Sequence, residues 1–175
     1  MRRFVLAAVA AVVFLPALSA ASASVGQTFL HNGNMDCSLA PWECSRMTSG
    51  SDSMGNYFIH YSVPRPGLAR MGIGPGQLLV SGKFYGNGQF MGKALRFNMY
   101  GNMRCDASYD VAGGFDLIGN FRLSGPAPIF DEFVCATHGN SWAESQSYLL
   151  FVRAQLGSPG ADLRGDGFVK KSAAR

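Results

Sequence analysis

Ala94-Leu95-Arg96-Phe97-Asn98-Met99-Tyr100 is the stretch that decides the fold class. Leu95, Phe97 and Met99 alternate with Arg96, Asn98 and Tyr100. A period of two sends the two sets to opposite faces of an extended chain, so the stretch reads as a half-buried β-strand. A helix needs apolar residues every three to four positions, and no long window of this chain sustains that period.

The same signature recurs outward from this stretch. Residues 115–123 (FDLIGNFRL) place Leu117 and Phe121 opposite Asn120 and Arg122. Residues 57–63 (YFIHYSV) carry the aromatic and β-branched side chains that strands favour, and Pro64-Arg65-Pro66-Gly67 stops them. Residues 77–85 (QLLVSGKFY) run into Gly86-Asn87-Gly88. Residues 148–155 (YLLFVRAQ) are the most apolar run and read as a central strand. Shorter pieces are expected at 27–30, from Trp42 to about Met47, around Phe133-Val134-Cys135, and at Gly167-Phe168-Val169. Ser49 to Ser53 reads as a loop. Eight or nine short strands separated by turn signals predict an all-β chain, folded as an antiparallel β-sandwich. With no visible repeat and no Pro- or Ser-rich linker, residues 24–175 read as one domain ending in a short basic tail.

The first 23 residues read differently. Arg2 and Arg3 precede an apolar run over 4–18, and Ala21-Ser22-Ala23 offers the small residues a signal peptidase needs. This is the pattern of a secretory signal peptide, and its core is short for a membrane span, the alternative reading. Cleavage would leave 152 of the 175 residues, enough for one ordinary core. It would remove two of the 15 Lys and Arg residues, leaving 13 against 11 acids and a net charge near +2. The basic residues form no stripe, so nucleic acid is not an expected partner.

An exported chain with an even number of cysteines implies disulfides. Of the three pairings open to Cys37, Cys44, Cys105 and Cys135, loop closure favours Cys37–Cys44, which leaves Cys105–Cys135. A zinc site is the rival, but there is no Cys-x-x-Cys pair, and His31, His60 and His138 have no ligand spacing. The chain lacks an Asn-x-Ser/Thr sequon, as an exported bacterial protein can.

The order of motifs resembles that of carbohydrate-binding modules of the galactose-binding-like jelly-roll type. Asn32-Gly33-Asn34-Met35-Asp36 stands where such modules begin with Asn-Gly-Asp-Phe-Glu. Trp42 sits where they place a tryptophan. Residues 77–82 (QLLVSG) resemble their strand entering the core, and 148–152 followed by Asp166, Phe168 and Val169 resemble their closing pair. The resemblance implies a jelly-roll sandwich, sugar binding, a packed Trp42, and a structural calcium for which Asp36 and Asp166 are the matching carboxylates. Asn34 and Gly167, where acids are common, depart from the calcium pattern; the alternative is that both aspartates cap turns.

Sugar recognition needs aromatic planes beside hydroxyl-binding polar groups. The polar faces of the expected strands offer Lys83 and Tyr85, Arg96, Asn98 and Tyr100, Asn120 and Arg122, and Arg153. Sharing one sheet, they would form a face rich in Tyr, Asn and Arg, though any solvent-facing sheet is polar. Trp142, in the polar stretch His138-Gly139-Asn140-Ser141, could stack on a ligand or cover the end of the sandwich. The candidate ligand-binding set is therefore Tyr85, Arg96, Asn98, Tyr100, Asn120, Arg122 and Trp142. Tyr57 and Tyr61 read as core or its rim, and His60 as a surface residue. No Gly-x-Ser-x-Gly elbow or His-Glu-x-x-His helix is present, and the adjacent Asp131 and Glu132 would face opposite ways on a strand. The expectation is a secreted, non-catalytic carbohydrate-binding protein for a cell-surface or matrix glycan. The alternatives are an interaction domain without a sugar site and a small hydrolase.

Overall fold

The computed structural model describes residues 26–131 and 133–154. The expected signal peptide, Asp166, the strand expected near Phe168, the basic tail and Glu132 lie outside the described residues. The described residues form ten strands: β1 (Thr28–His31), β2 (Ser45–Ser51), β3 (Asn56–Val63), β4 (Leu78–Phe84), β5 (Phe90–Tyr100), β6 (Met103–Phe115), β7 (Phe121–Ser124), β8 (Ala127–Phe130), β9 (Thr137–Ser141) and β10 (Tyr148–Arg153). One short helix, α1 (Pro66–Arg70), joins β3 to β4.

The all-β expectation holds, and the arrangement differs from two stacked sheets. Strands β1 to β7 follow one another antiparallel, and β10 enters between β7 and β1 to close an eight-stranded barrel. Closure rests on β1: Leu30 lies opposite Arg46 on β2 and opposite Val152 on β10. A closed sheet leaves no unpaired edge, which a sandwich must protect by other means. The β8–β9 hairpin stands apart in the crossover from β7 to β10.

Alternation decides what fills the barrel. Phe29, Met47, Ile59, Tyr61, Val80, Phe90, Tyr109, Phe121 and Phe151 are buried in one cluster. Lys93 and Asp110 pair across β5 and β6 on the outside, at 2.8 Å. A lipid-facing barrel has an apolar outer belt and a polar lumen, and this barrel has the opposite polarity. Among the described residues, no helix is long and apolar enough to cross a membrane.

The two ends of the barrel differ. Hairpin turns β2–β3, β4–β5 and β6–β7 lie at one end, which an aromatic plug fills. Tyr57, Phe84, Phe90, Phe115 and Phe121 meet there with centroids 4.9 to 6.5 Å apart. Each ring buried in such a plug stabilises the fold by about 1.5–3 kcal/mol. The plug needs space, and Gly82 and Gly92 provide it. They lie opposite each other on β4 and β5, and a Cβ on either would meet the Phe90 ring within 2.8 Å.

Three local expectations are corrected. Residues 115–123 are not one strand but the end of β6, a turn and the start of β7, with Leu117 exposed at the tip. Phe133-Val134-Cys135 is a bend between β8 and β9. Trp42, expected to be packed, is 70% exposed, because the short 3-10 turn that carries it projects from the Cys37–Cys44 loop.

Both expected disulfides form, Cys37–Cys44 and Cys105–Cys135. The first holds a loop against the outer face of β1 and β10, where Cys37, Leu150 and Val152 are buried with Leu30 and Cys44 packed beside them. The second ties β6 to the bend before β9.

Candidate functional site

One concavity of the described surface lies on the outer wall and another in the open mouth. The outer groove encloses about 450 Å³ and lies over β6, β7 and β10. Outward positions on these strands set its chemistry: Ala112 and Gly114 form a low floor, and Arg122, Ser124, Tyr148 and Leu150 line it. Asn34 reaches it from the turn that follows β1, whose backbone is held to β10 by the Leu150 amide donating to the Gly33 carbonyl at 2.8 Å.

Asp116 closes one side of this groove. Its Oδ1 accepts from the amides of Ile118 and Asn120, and its Oδ2 accepts from Arg122 Nε at 2.9 Å. Arg122, with the turn amides, holds the Asp116 carboxyl below the usual carboxylate range. The turn is one of a matched pair. Asp52-Ser53-Met54-Gly55-Asn56 and Asp116-Leu117-Ile118-Gly119-Asn120 share Asp-x-x-Gly-Asn, the same amide-to-Oδ1 bonds and a left-handed glycine. At the other side Trp142 and Tyr148 form a tilted pair, centroids 6.1 Å apart, each about half exposed.

The seven candidate ligand residues do not share one face. Arg122 lines the outer groove, and Trp142 stands beside it against Tyr148. Asn120 is buried: its amide donates to Asp116 and its Oδ1 accepts from the Arg153 amide, so it holds the turn to β10. Tyr85 is in the β4–β5 turn and Tyr100 ends β5, so the length of that strand, about 30 Å, separates them. Asn98 lies opposite Cys105 in the part of the β5–β6 hairpin that extends beyond the barrel wall. Lys83 is exposed on β4, on another part of the wall. The closed sheet is what disperses them, because strands far apart in a barrel face different directions.

Arg96 belongs to the mouth. Its guanidinium pairs with Glu144 at 2.7 Å, donates to the Pro128 carbonyl, and stands 5.6 Å over the Phe130 ring. The mouth cavity, about 180 Å³, is lined by His31, Tyr61, Arg65, Arg96 and Gln146 among polar residues, and by Leu68, Met71, Leu79, Leu95 and Phe97 among apolar ones. Leu79 reaches it through a bulge: Ile59 pairs with Val80 and His60 with Leu78, so Leu79 is the extra residue turned inward. His31 Nδ1 donates to the Leu150 carbonyl at 2.9 Å, and its ring stacks on Phe151 at 4.3 Å. Burial, helped by the Arg65 charge, lowers the His31 pKa to about 4, so the ring is neutral near pH 7.

Sequence reasoning missed Asn34, Asp116 and Tyr148 as groove residues, and His31 and Arg65 as cavity residues. The repeated Asp-x-x-Gly-Asn was the available signal for Asp116. The phase of Tyr148 against Leu149 and Phe151 was the signal for Tyr148. Asp36 accepts from the Ser38 amide at 2.9 Å, the turn-capping role weighed against calcium. Among the described residues, no group of three or more His, Cys, Asp or Glu side chains is placed to hold a metal ion.

These features define a small up-and-down β-barrel, plugged at one end, with a mixed polar and aromatic groove on its wall. Compared with known proteins, the chain matches no family model, no curated protein and no solved structure.

Proposed function

We propose that this chain is an exported, non-catalytic carbohydrate-binding protein that uses the outer groove of β6, β7 and β10. The observation that carries this reading is the convergence of Arg122, Asp116, Asn34 and Ser124 beside the exposed Tyr148–Trp142 pair. Sugar rings present an apolar C–H face and a rim of hydroxyls. Half-exposed aromatic rings accept the first, and a fixed arginine–carboxylate pair with an amide and a hydroxyl accepts the second. The Asp116–Arg122 contact keeps that pair in place before any ligand arrives, which lowers the ordering cost of binding. The two disulfides and the signal-like first 23 residues support export, and an exported product beginning at Ser24 is expected from N-terminal sequencing.

A glycan array probed with the mature protein tests the reading. Binding of a cell-surface or matrix glycan is expected, with at least tenfold loss in Trp142→Ala, Tyr148→Ala and Arg122→Ala. No retention on any polysaccharide, with or without calcium, overturns it.

A second reading is favoured by one observation. Leu39 and Trp42 are both largely exposed on the Cys37–Cys44 loop, as a protein-contact surface would have them. A stable partner recovered with the wild type and lost in Trp42→Ala would select this reading over the first.

A further inference from the structure

The mouth cavity has a charge balance that the outer groove does not explain. Two guanidinium groups line it. Arg96 is neutralised by Glu144 and satisfied by the Pro128 carbonyl. Arg65 makes no ion pair with a carboxylate among the described residues, and its Nε is buried without an acceptor. A half-buried guanidinium without a carboxylate partner is costly, and an anion in the cavity that Arg65 lines compensates its charge.

The remaining walls narrow the anion. His31 and Tyr61 carry no charge near pH 7: burial lowers the His31 pKa to about 4, and a tyrosine hydroxyl, raised further here by burial, is neutral at that pH. One uncompensated positive charge matches one negative charge, and a dianion would leave its second charge unpaired. Leu68, Leu79 and Phe97 give the cavity an apolar side suited to a hydrocarbon body. The volume of about 180 Å³ is that of about six waters of bulk liquid, the scale of a small organic acid. The mouth of a small barrel is a common place for such a ligand, since eight strands leave room for side chains or one small molecule.

We propose that the barrel mouth binds a small organic monocarboxylate, its carboxylate on Arg65 and its apolar body against Leu68, Leu79 and Phe97. This site is separate from the outer groove and does not depend on it. A carboxylate against a guanidinium forms charge-assisted hydrogen bonds, stronger than those between neutral groups.

The test uses benzoate as probe and benzamide as its uncharged counterpart, followed by calorimetry and amide chemical shifts on the folded mature protein. Benzoate should bind at least tenfold more tightly than benzamide, with shifts centred on His31, Tyr61 and α1. Arg65→Met should lose at least tenfold in benzoate affinity. Leu68→Trp, which fills the cavity and leaves the charge, should block both probes and guards against a folding defect in the first variant. Arg122→Ala should bind benzoate as the wild type does, so failure of the glycan reading stays distinguishable from failure here. Equal binding of the two probes, no response to millimolar benzoate, or wild-type affinity in Arg65→Met would overturn the proposal.

Discussion

Gly82 and Gly92 face each other across β4 and β5, and the ring of Phe90 occupies the room that their missing side chains leave. A Cβ at Gly82 would come within 2.3 Å of the Met91 carbonyl oxygen, and one at Gly92 within 2.2 Å of the Ser81 carbonyl oxygen. Backbone on the partner strand cannot yield as a flexible side chain can. Gly82→Ala or Gly92→Ala should therefore destabilise the barrel by about 1–3 kcal/mol, the usual cost of overpacking. Urea unfolding should show a lower midpoint at unchanged slope. A midpoint within error of the wild type would show that the plug repacks freely.

Acid should weaken the fold in a window set by His31. Its folded pKa, about 4, lies below the 6.5 of an unfolded histidine. Between those values the unfolded chain binds a proton that the folded chain does not, so stability falls as pH drops from 6.5 towards 4. The full loss is about 3 kcal/mol, and it levels off once both states are protonated. The lowered carboxylates Asp52 and Asp116 add their own loss at lower pH. Thermal melts across this range should show the decline, and His31→Gln should flatten the part between pH 6.5 and 4. A wild-type melting temperature constant over that interval would contradict the buried, neutral histidine.

The two disulfides should differ in weight. Cys105–Cys135 closes 30 residues and Cys37–Cys44 closes 7. In the chain-entropy account these restrict the unfolded state by about 3.6 and about 2.4 kcal/mol. Replacing Cys105 and Cys135 together by serine should lower the melting temperature more than replacing Cys37 and Cys44. The reverse order would mean that the shorter bridge acts through the folded state, by holding the loop against Leu150 and Val152.

Asp52 and Asp116 cap the same kind of turn, but only Asp116 also holds Arg122. Asp52→Ala and Asp116→Ala should both lower the melting temperature. Only Asp116→Ala should weaken glycan retention, because only that change frees an arginine of the groove. Equal retention by the two variants would separate Arg122 from the binding surface.

The extended character of this chain was legible in one dimension. The alternation in residues 94–100 and the aromatic content of 57–63 both lie within β-strands, and loop length sufficed to pair the cysteines. Turn boundaries were less legible. Residues 115–123 kept an apolar rhythm through a hairpin, because Leu117 and Ile118 stand at its exposed tip where no core selects their polarity. Trp42 carried no local mark of exposure, since burial depends on what lies above a side chain.

What the sequence determined by itself was local: which residues extend, where glycine and aspartate turn the chain, and which thiols are near enough to join. Only the tertiary structure decided that the strands close into a barrel, because closure rests on β1 pairing with β10, whose residues lie more than a hundred positions away, as well as with the nearby β2. That closure also sorted the candidate residues. It sent Arg122 to an outer groove, Arg96 to the mouth, and Tyr85 and Tyr100 to opposite ends of a strand, since a residue's neighbours in space follow from strand order and register, which a linear pattern does not contain.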